Sequence, residues 1–154
     1  MKKLLLAIML LLPVCSLAAK KNLILHCDSI NGPSEYKDSI VQIKMSMAVY
    51  YDVTLVIFSE INERITIEWE NARINGANIA FFTDNEYERK RPKPDEVLTA
   101  KGVSVKTICK RSFLDIVDKK KIKKGEAEYF SLILPLKIGT TYKDLKIRIY
   151  VTLE

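Results

Sequence analysis

The side chains that most often carry out nucleophilic or acid–base chemistry are scarce in this sequence. Among 154 residues there is one histidine, His26, and there are three cysteines. A catalytic triad needs a serine or cysteine nucleophile, a histidine base and a carboxylate that orients the histidine. No Gly-x-Ser-x-Gly motif presents a serine, and Cys27 beside His26 is better used in a disulfide. We therefore predict a protein that is not an enzyme and has no cofactor.

Carboxylates flank the only tryptophan, in the order Glu68-Trp69-Glu70. Sugar binding or acid catalysis by a carboxylate pair beside an aromatic ring is one interpretation. The other is a core tryptophan whose neighbours face water, because Ile65, Ile67 and Trp69 alternate with polar residues as in a half-buried strand. We favour the core interpretation and keep carbohydrate binding as an alternative.

A group of acidic and amide side chains at Asp84, Asn85, Glu86 and Glu88 comes nearest to a metal site. A calcium loop of the EF-hand type also needs a central glycine and a glutamate at its twelfth position, and these are missing. Zinc prefers sets of cysteine and histidine that this chain does not have. The sequence therefore predicts no metal site.

Two clusters of basic residues are candidates for contact with an anionic partner. They are Arg89, Lys90, Arg91 and Lys93, and then Lys119, Lys120, Lys121, Lys123 and Lys124. A block of like charges repels itself and favours an acidic surface. We favour solvated turns, although convergence of the two clusters would form an anionic-partner patch. Aromatic residues are not interleaved with the clusters, so we expect no nucleic-acid partner.

The first residues have the form of a secretory signal peptide. Lys2 and Lys3 precede the apolar run Leu4–Val14, and Ser16 and Ala18 are small residues placed for cleavage after Ala18. This run is too short to span a bilayer, which needs about 20 residues. We therefore predict a protein exported to a bacterial periplasm or out of the cell, with no transmembrane span.

Cleavage at this point would change the charge and the number of cysteines. Loss of Lys2 and Lys3 leaves 23 basic against 19 acidic residues, an excess of +4 that is ordinary for solubility. Val14 stands where a lipoprotein signal normally has a small residue before the cysteine. We therefore favour a soluble form, and a lipid anchor at Cys15 is the alternative.

The two remaining cysteines, Cys27 and Cys109, would be an even number in an oxidising compartment. Each lies an even number of residues from two apolar residues, so that in a strand they would share one face. These residues are Leu23 and Leu25 for Cys27, and Val103 and Val105 for Cys109. We therefore predict that both thiols face the core and form a disulfide. Closing so long a loop would stabilise the fold by roughly 4–5 kcal/mol in the chain-entropy view.

Alternation of apolar and polar residues with a period of two dominates the pattern. It runs through Val41–Ile57, which exceeds one normal strand and indicates either a long bent strand or two strands that pass a bulge without a glycine or proline. Beyond the polar gap Ser59–Glu63, the run Ile65–Trp69 predicts the second arm of a hairpin. Asn75-Gly76 predicts a tight turn before a strand at 78–82.

The next segments are less regular. Thr83–Asp95 is predicted to be a loop, because Pro92 and Pro94 exclude a central strand or a helix there. Ser112 is placed to cap one short helix near 113–122.

Two further alternating strands follow, Tyr129–Leu136 and Leu145–Leu153. Many strands joined by turns, with at most one short helix near 113–122, predict a mainly β fold. The expected architecture is an antiparallel β-sandwich, immunoglobulin-like in general form, in a single domain over residues 19–154.

These features favour an exported, non-enzymatic module that binds or assembles other proteins. An exposed sheet edge would offer main-chain hydrogen bonds to a partner strand. Fimbrial or secretion accessories, inhibitors and immunity proteins are the classes that suit such a scaffold. The alternatives are binding of carbohydrate or envelope polymer through Trp69 and nearby acids, and binding of an anionic surface through the Lys/Arg clusters.

Overall fold

The computed structural model describes residues 23–27, 34–47, 52–112, 116, 122–123 and 125–153. The signal peptide predicted over residues 1–18 lies outside them, as does most of the segment predicted to be helical near 113–122. Among the described residues, no helix is long and apolar enough to cross a membrane.

Antiparallel strands make up most of the described chain, which confirms the prediction of a mainly β fold. The described residues form eleven strands: β1 Leu23–Cys27, β2 Glu35–Lys37, β3 Val41–Met47, β4 Val53–Ser59, β5 Ile65–Ile67, β6 Arg73–Ile74, β7 Ala77–Phe81, β8 Glu96–Leu98, β9 Val103–Lys110, β10 Ala127–Ile138 and β11 Thr141–Leu153. Their order in the sheet is β1-β11-β10-β6-β7-β9-β4-β3-β2. Strand β5 also pairs with β10, and β8 pairs with β5.

Side-chain alternation explains why these segments form strands with one buried face. Every second residue is buried along β4, and β3, β10 and β11 show the same pattern over much of their length. The buried residues of both halves of the sheet belong to one core cluster, which includes Ile43, Leu55, Ile57, Leu132, Leu134 and Ile147. Burying each such side chain stabilises the fold by roughly 1.5–3 kcal/mol.

The long alternating run contains two strands, as one of the two interpretations has it, but they pair antiparallel with each other and do not continue past a bulge. β3 and β4 pair as a hairpin, with Met47 opposite Val53 and Val41 opposite Ser59. The predicted hairpin between the end of this run and Ile65–Trp69 is wrong. β4 already has β3 and β9 as its two neighbours, and β5 pairs with β10 and β8 instead.

The turn at Asn75-Gly76 is confirmed and joins the two halves of the sheet. Both residues have positive φ, 49° and 75°, as a two-residue hairpin turn requires. The hairpin pairs β6 with β7. Because β6 also pairs with β10, and β7 with β9, this short hairpin connects the β10–β11 half to the β9–β4–β3 half.

The two ends of the strand order come near each other without pairing. Strand β1 pairs with β11 and also approaches β2 and β3. No strand ladder between β1 and β3 or β2 is formed by the described residues. The sheet is therefore strongly curved but not closed.

The segment Thr83–Asp95 corrects one prediction, because it contains a short helix, α1, at Glu86–Lys90. Asn85 accepts a hydrogen bond from the amide of Glu88, and the Glu88 carboxylate accepts one from the amide of Asn85. This reciprocal capping box starts the helix. The prolines act only after the helix has ended, so excluding a helix from the whole segment was wrong.

Candidate functional site: the open edge of β9

The basic cluster in Thr83–Asp95 does not form a single cationic surface. The Lys93 side chain is 4% exposed, and its Nζ lies 2.5 Å from Oδ2 of Asp84. Arg89 is half-buried, with Nη1 3.2 Å from Sγ of Cys109. Lys90 and Arg91 are exposed, so two of the four predicted residues point inward.

The second basic cluster is only partly within the described residues. Lys123 is exposed, whereas Lys119, Lys120, Lys121 and Lys124 lie outside. Convergence of the two clusters into an anionic-partner patch therefore stays a prediction.

The Cys109 thiol is free and buried in the structure. It donates a hydrogen bond to the carbonyl of Ala80 at 3.5 Å and accepts one from Arg89. Burial raises the pKa of the thiol to about 11. Cys27 lies opposite Ile149 in the β1–β11 ladder, and its side chain is outside the described residues. The predicted Cys27–Cys109 bridge thus has no support from the structure.

Trp69 is a core residue, as we favoured. Its side chain is 1% exposed, and its indole Nε1 donates to a carboxylate oxygen of Glu96 at 2.9 Å. The ring also packs edge-on against Phe81, with centroids 5.5 Å apart. A buried indole offers no platform to a sugar, so the carbohydrate alternative loses the observation on which it depended.

The acids beside Trp69 have structural partners. Glu70 forms two hydrogen bonds with the guanidinium of Arg111, at 2.6 and 3.1 Å, and accepts the main-chain amide of Lys93 at 2.7 Å. The Arg111 guanidinium holds the pKa of Glu70 below its ordinary value. Glu68 accepts a hydrogen bond from Asn71. The contact between Glu70 and Lys93 ties the Thr83–Asp95 segment to the part of the chain around Trp69.

No acidic, histidine or cysteine cluster of three or more residues in the described part of the chain is placed to hold a metal ion. Asp84, which belongs to the acidic group seen in the sequence, is instead the partner of Lys93.

A different feature stands out in β9, where one side of the strand has no neighbour over part of its length. On one side β9 pairs with β4 over Val103–Ile108. On the other side it pairs with β7 only over Ile108–Lys110. Within the described residues, Val103–Lys106 therefore has a free side, which we call the open edge.

Two main-chain hydrogen bonds establish which groups point out of the open edge. The carbonyl of Thr107 accepts the Phe82 amide from the β7 side, whereas the carbonyl of Gly102 accepts the Ser59 amide from the β4 side, each at 2.9 Å. The main-chain groups of successive strand residues point to opposite sides. The amides and carbonyls of Val103 and Val105 therefore point outward, away from β4.

The open edge exists because β7 ends in a tight turn. The carboxylate of Asp84 accepts the amide of Phe81, and the amide of Asp84 donates to the carbonyl of Phe81. This turn takes the chain away from β9 immediately after Phe82. It leaves a groove of about 340 Å³ beside the edge, lined by Phe81, Phe82, Thr83, Val105, Lys106 and Thr107.

The side chains at the open edge are apolar and exposed. Val103 and Val105 are 52% and 60% exposed, and Phe82 is 41% exposed. Val103 lies opposite Phe58 and Val105 opposite Val56, so two apolar rows cross the outer face of β4 and β9. An extended chain laid along this edge would gain both main-chain hydrogen bonds and apolar contact.

Val103 and Val105 were predicted to lie on the core face with Cys109, and this prediction is wrong. The β4–β9 register puts Ser104 opposite Ile57 on the buried face, and Ser104 is 2% exposed. Cys109 shares the outward parity of the valines but is buried, with Arg89 in contact with its thiol. Alternation alone cannot tell which parity faces the core when both carry some apolar residues.

Neither protein-family models, nor curated proteins, nor solved structures match this chain.

Proposed function

We propose that this chain is an exported, non-enzymatic β-sandwich that binds another protein by adding a strand to the open edge of β9. The observation that carries this proposal is the outward direction of the Val103 and Val105 main-chain groups beside the groove at Phe82. Strand addition obtains its affinity from such groups and its specificity from pockets for alternate side chains.

The edges at β2 and β8 are less suited to this role. β2 has three residues, Glu35–Lys37, and a charged residue at each end. β8 also has three residues. Short and charged edges are the usual protection against unwanted pairing, whereas the open edge presents two exposed β-branched residues next to a groove.

The β-sandwich is supported by the single core that the two halves of the sheet share, and by the approach of β1 to β3. Export is supported by the signal-peptide pattern at Lys2–Ala18. Binding of an anionic surface is a weaker alternative, because Lys93 is buried in an ion pair.

The test is a proline substitution that removes one outward amide. The Val105 amide takes no part in the β4–β9 ladder, so Val105→Pro deletes an edge donor at a position where proline is tolerated. Val105→Thr is the matched control, since it keeps the amide and the β-branched shape. Both variants are first checked for a native unfolding transition.

Wild-type protein, Val105→Pro and Val105→Thr are then immobilised, and proteins retained from an extract of the source cells are identified by mass spectrometry. We expect a partner retained by wild type and Val105→Thr and lost with Val105→Pro. Retention of the same partner by all three proteins would place its binding site elsewhere and contradict the proposal.

A further inference from the structure

We propose that a second copy of this chain is an occupant of the open edge, so that two β9 strands pair antiparallel around Ser104. This inference rests on the proposed function, because it assigns a partner to the same edge.

The register makes the open edge complementary to itself. If Ser104 of one copy lies opposite Ser104 of the other, Val103 lies opposite the second copy's Val105. All of these valines direct their amide and carbonyl outward, and two facing residues with outward groups exchange two hydrogen bonds. Four hydrogen bonds form in total, and every open main-chain group of Val103 and Val105 obtains a partner.

The buried hydroxyl of Ser104 is an independent observation that points to the same arrangement. Ser104 is 2% exposed, and its Oγ has no hydrogen-bond partner among the described residues. An unsatisfied buried polar group costs roughly 1–3 kcal/mol. In the paired edges, Ser104 of one copy lies opposite Ser104 of the other at a non-hydrogen-bonded position, where side chains come closest. Because this Oγ is closed to solvent in the single chain, a rotation of each Ser104 side chain about χ1 would bring the two hydroxyls together, in the manner of Thr54 and Thr107 within this sheet, whose Oγ1 atoms are 2.8 Å apart.

Apolar contact across the pair follows from the same register. Val103 already lies beside Phe58, and Val105 beside Val56. Pairing of the edges would continue each row into the other copy, in the order Phe58, Val103, Val105, Val56. The exposed fractions of Val103 and Val105 would fall, and cross-strand pairs of β-branched residues stabilise a sheet.

A turn bounds the open edge at each end. At one end β7 turns away after Phe82. At the other end β9 begins at Val103, directly after a turn in which the amide of Gly102 donates to the carbonyl of Thr99. Each copy therefore contributes only the short stretch Val103–Val105 to the pair.

Cross-linking through one introduced cysteine, in a background where Cys27 and Cys109 are replaced by serine, tests the register. Ser104→Cys puts two thiols at directly opposed non-hydrogen-bonded positions, where Cα atoms are about 4.5 Å apart, within the range of a disulfide. Val103→Cys is the matched control on the same edge. Its two copies would be offset by two residues, with Cα atoms about 8 Å apart, too far for a bridge.

Each variant is oxidised with oxidised glutathione, resolved on a non-reducing gel, and mapped by mass spectrometry. We expect Ser104→Cys to yield a covalent dimer linked at position 104, on the order of tenfold more than Val103→Cys. Equal cross-linking of the two variants would overturn the register.

Sedimentation of the unmodified protein over a concentration series gives the second readout. Wild type and Val105→Thr should show a concentration-dependent dimer that Val105→Pro lacks. A monomer at every concentration, or a dimer that persists in Val105→Pro, would overturn the inference. A monomeric wild type that still binds a foreign partner lost with Val105→Pro would refute the second copy and leave the proposed function intact.

Discussion

The ion pair between Lys93 and Asp84 gives a prediction whose size follows from its burial. The side chains are 4% and 12% exposed, and Nζ lies 2.5 Å from Oδ2. The ammonium also donates to the carbonyl of Glu88 at 2.6 Å. Replacement of Lys93 by methionine keeps the packing volume and leaves the Asp84 carboxylate without its cation.

Breaking a fully buried pair by removing one partner costs about 3–5 kcal/mol. Asp84 retains some contact with water and still accepts the amide of Phe81, so we expect about 2 kcal/mol for Lys93→Met. Asp84→Asn should cost about as much, because the buried ammonium of Lys93 keeps only neutral partners and loses its counter-charge. With both changes present, no charge is left unpaired, and we expect a loss of only about 1 kcal/mol.

Urea unfolding followed by circular dichroism measures the four free energies of unfolding. The sum of the two single losses in unfolding free energy should exceed the loss in the double variant by about 3 kcal/mol. If the single costs simply add, the pair is not coupled, and the segment that carries α1 is held in place by other contacts. A surface pair, Lys90 with Glu86, is the control, and its double variant should show coupling of less than about 1 kcal/mol.

Three further predictions concern the open edge of β9, the Cys109 thiol and the loss of stability at acidic pH. Amide exchange should alternate along β9, with Val103 and Val105 exchanging at least about tenfold faster than the residues next to them; uniform protection would refute the open edge. The Cys109 thiol, with its pKa raised to about 11, should resist iodoacetamide at neutral pH in the folded protein and react completely once unfolded. Failure to react even then would show a bridge. Because the pKa of Glu70 is lowered from 4.5, its stabilising contribution is present above that value and is lost as the pH falls through the lowered pKa. Glu70→Gln should therefore be less stable than wild type at pH 7, with the difference shrinking under acid; a difference that does not vary with pH would contradict the role of Arg111.

The sequence carried enough information to identify most of the strands, because burial of one face imposes a period of two. The residues Leu145–Leu153 form most of β11, and Asn75-Gly76 forms the turn that its positive φ values require. The residue types of the capping box, Asn85 and Glu88, also predict a helix start. Pro92 and Pro94 instead favoured a loop over the whole segment.

Which strands pair with each other could not be predicted from the sequence in the same way. Ile65–Ile67 follows β4 in the chain, yet it pairs with β10, because pairing depends on which edges remain available in the whole sheet. The candidate site was missed for a related reason. The outward direction of the Val103 main-chain groups depends on the register with β4 and on where β7 ends. Neither can be predicted from the residues of β9 alone.

The position of β1 has a consequence for the order in which this sheet can assemble. β10 and β11 are joined by a short turn and pair along their whole length, from Ile138 opposite Thr141 to Ala127 opposite Thr152. Their association closes a small loop. β1 instead pairs with β11 through Leu23 opposite Leu153, which are the two ends of the described chain. Loop-closure entropy makes such distant contacts slow to form, so β1 should join the sheet late, after the hairpin that receives it has folded.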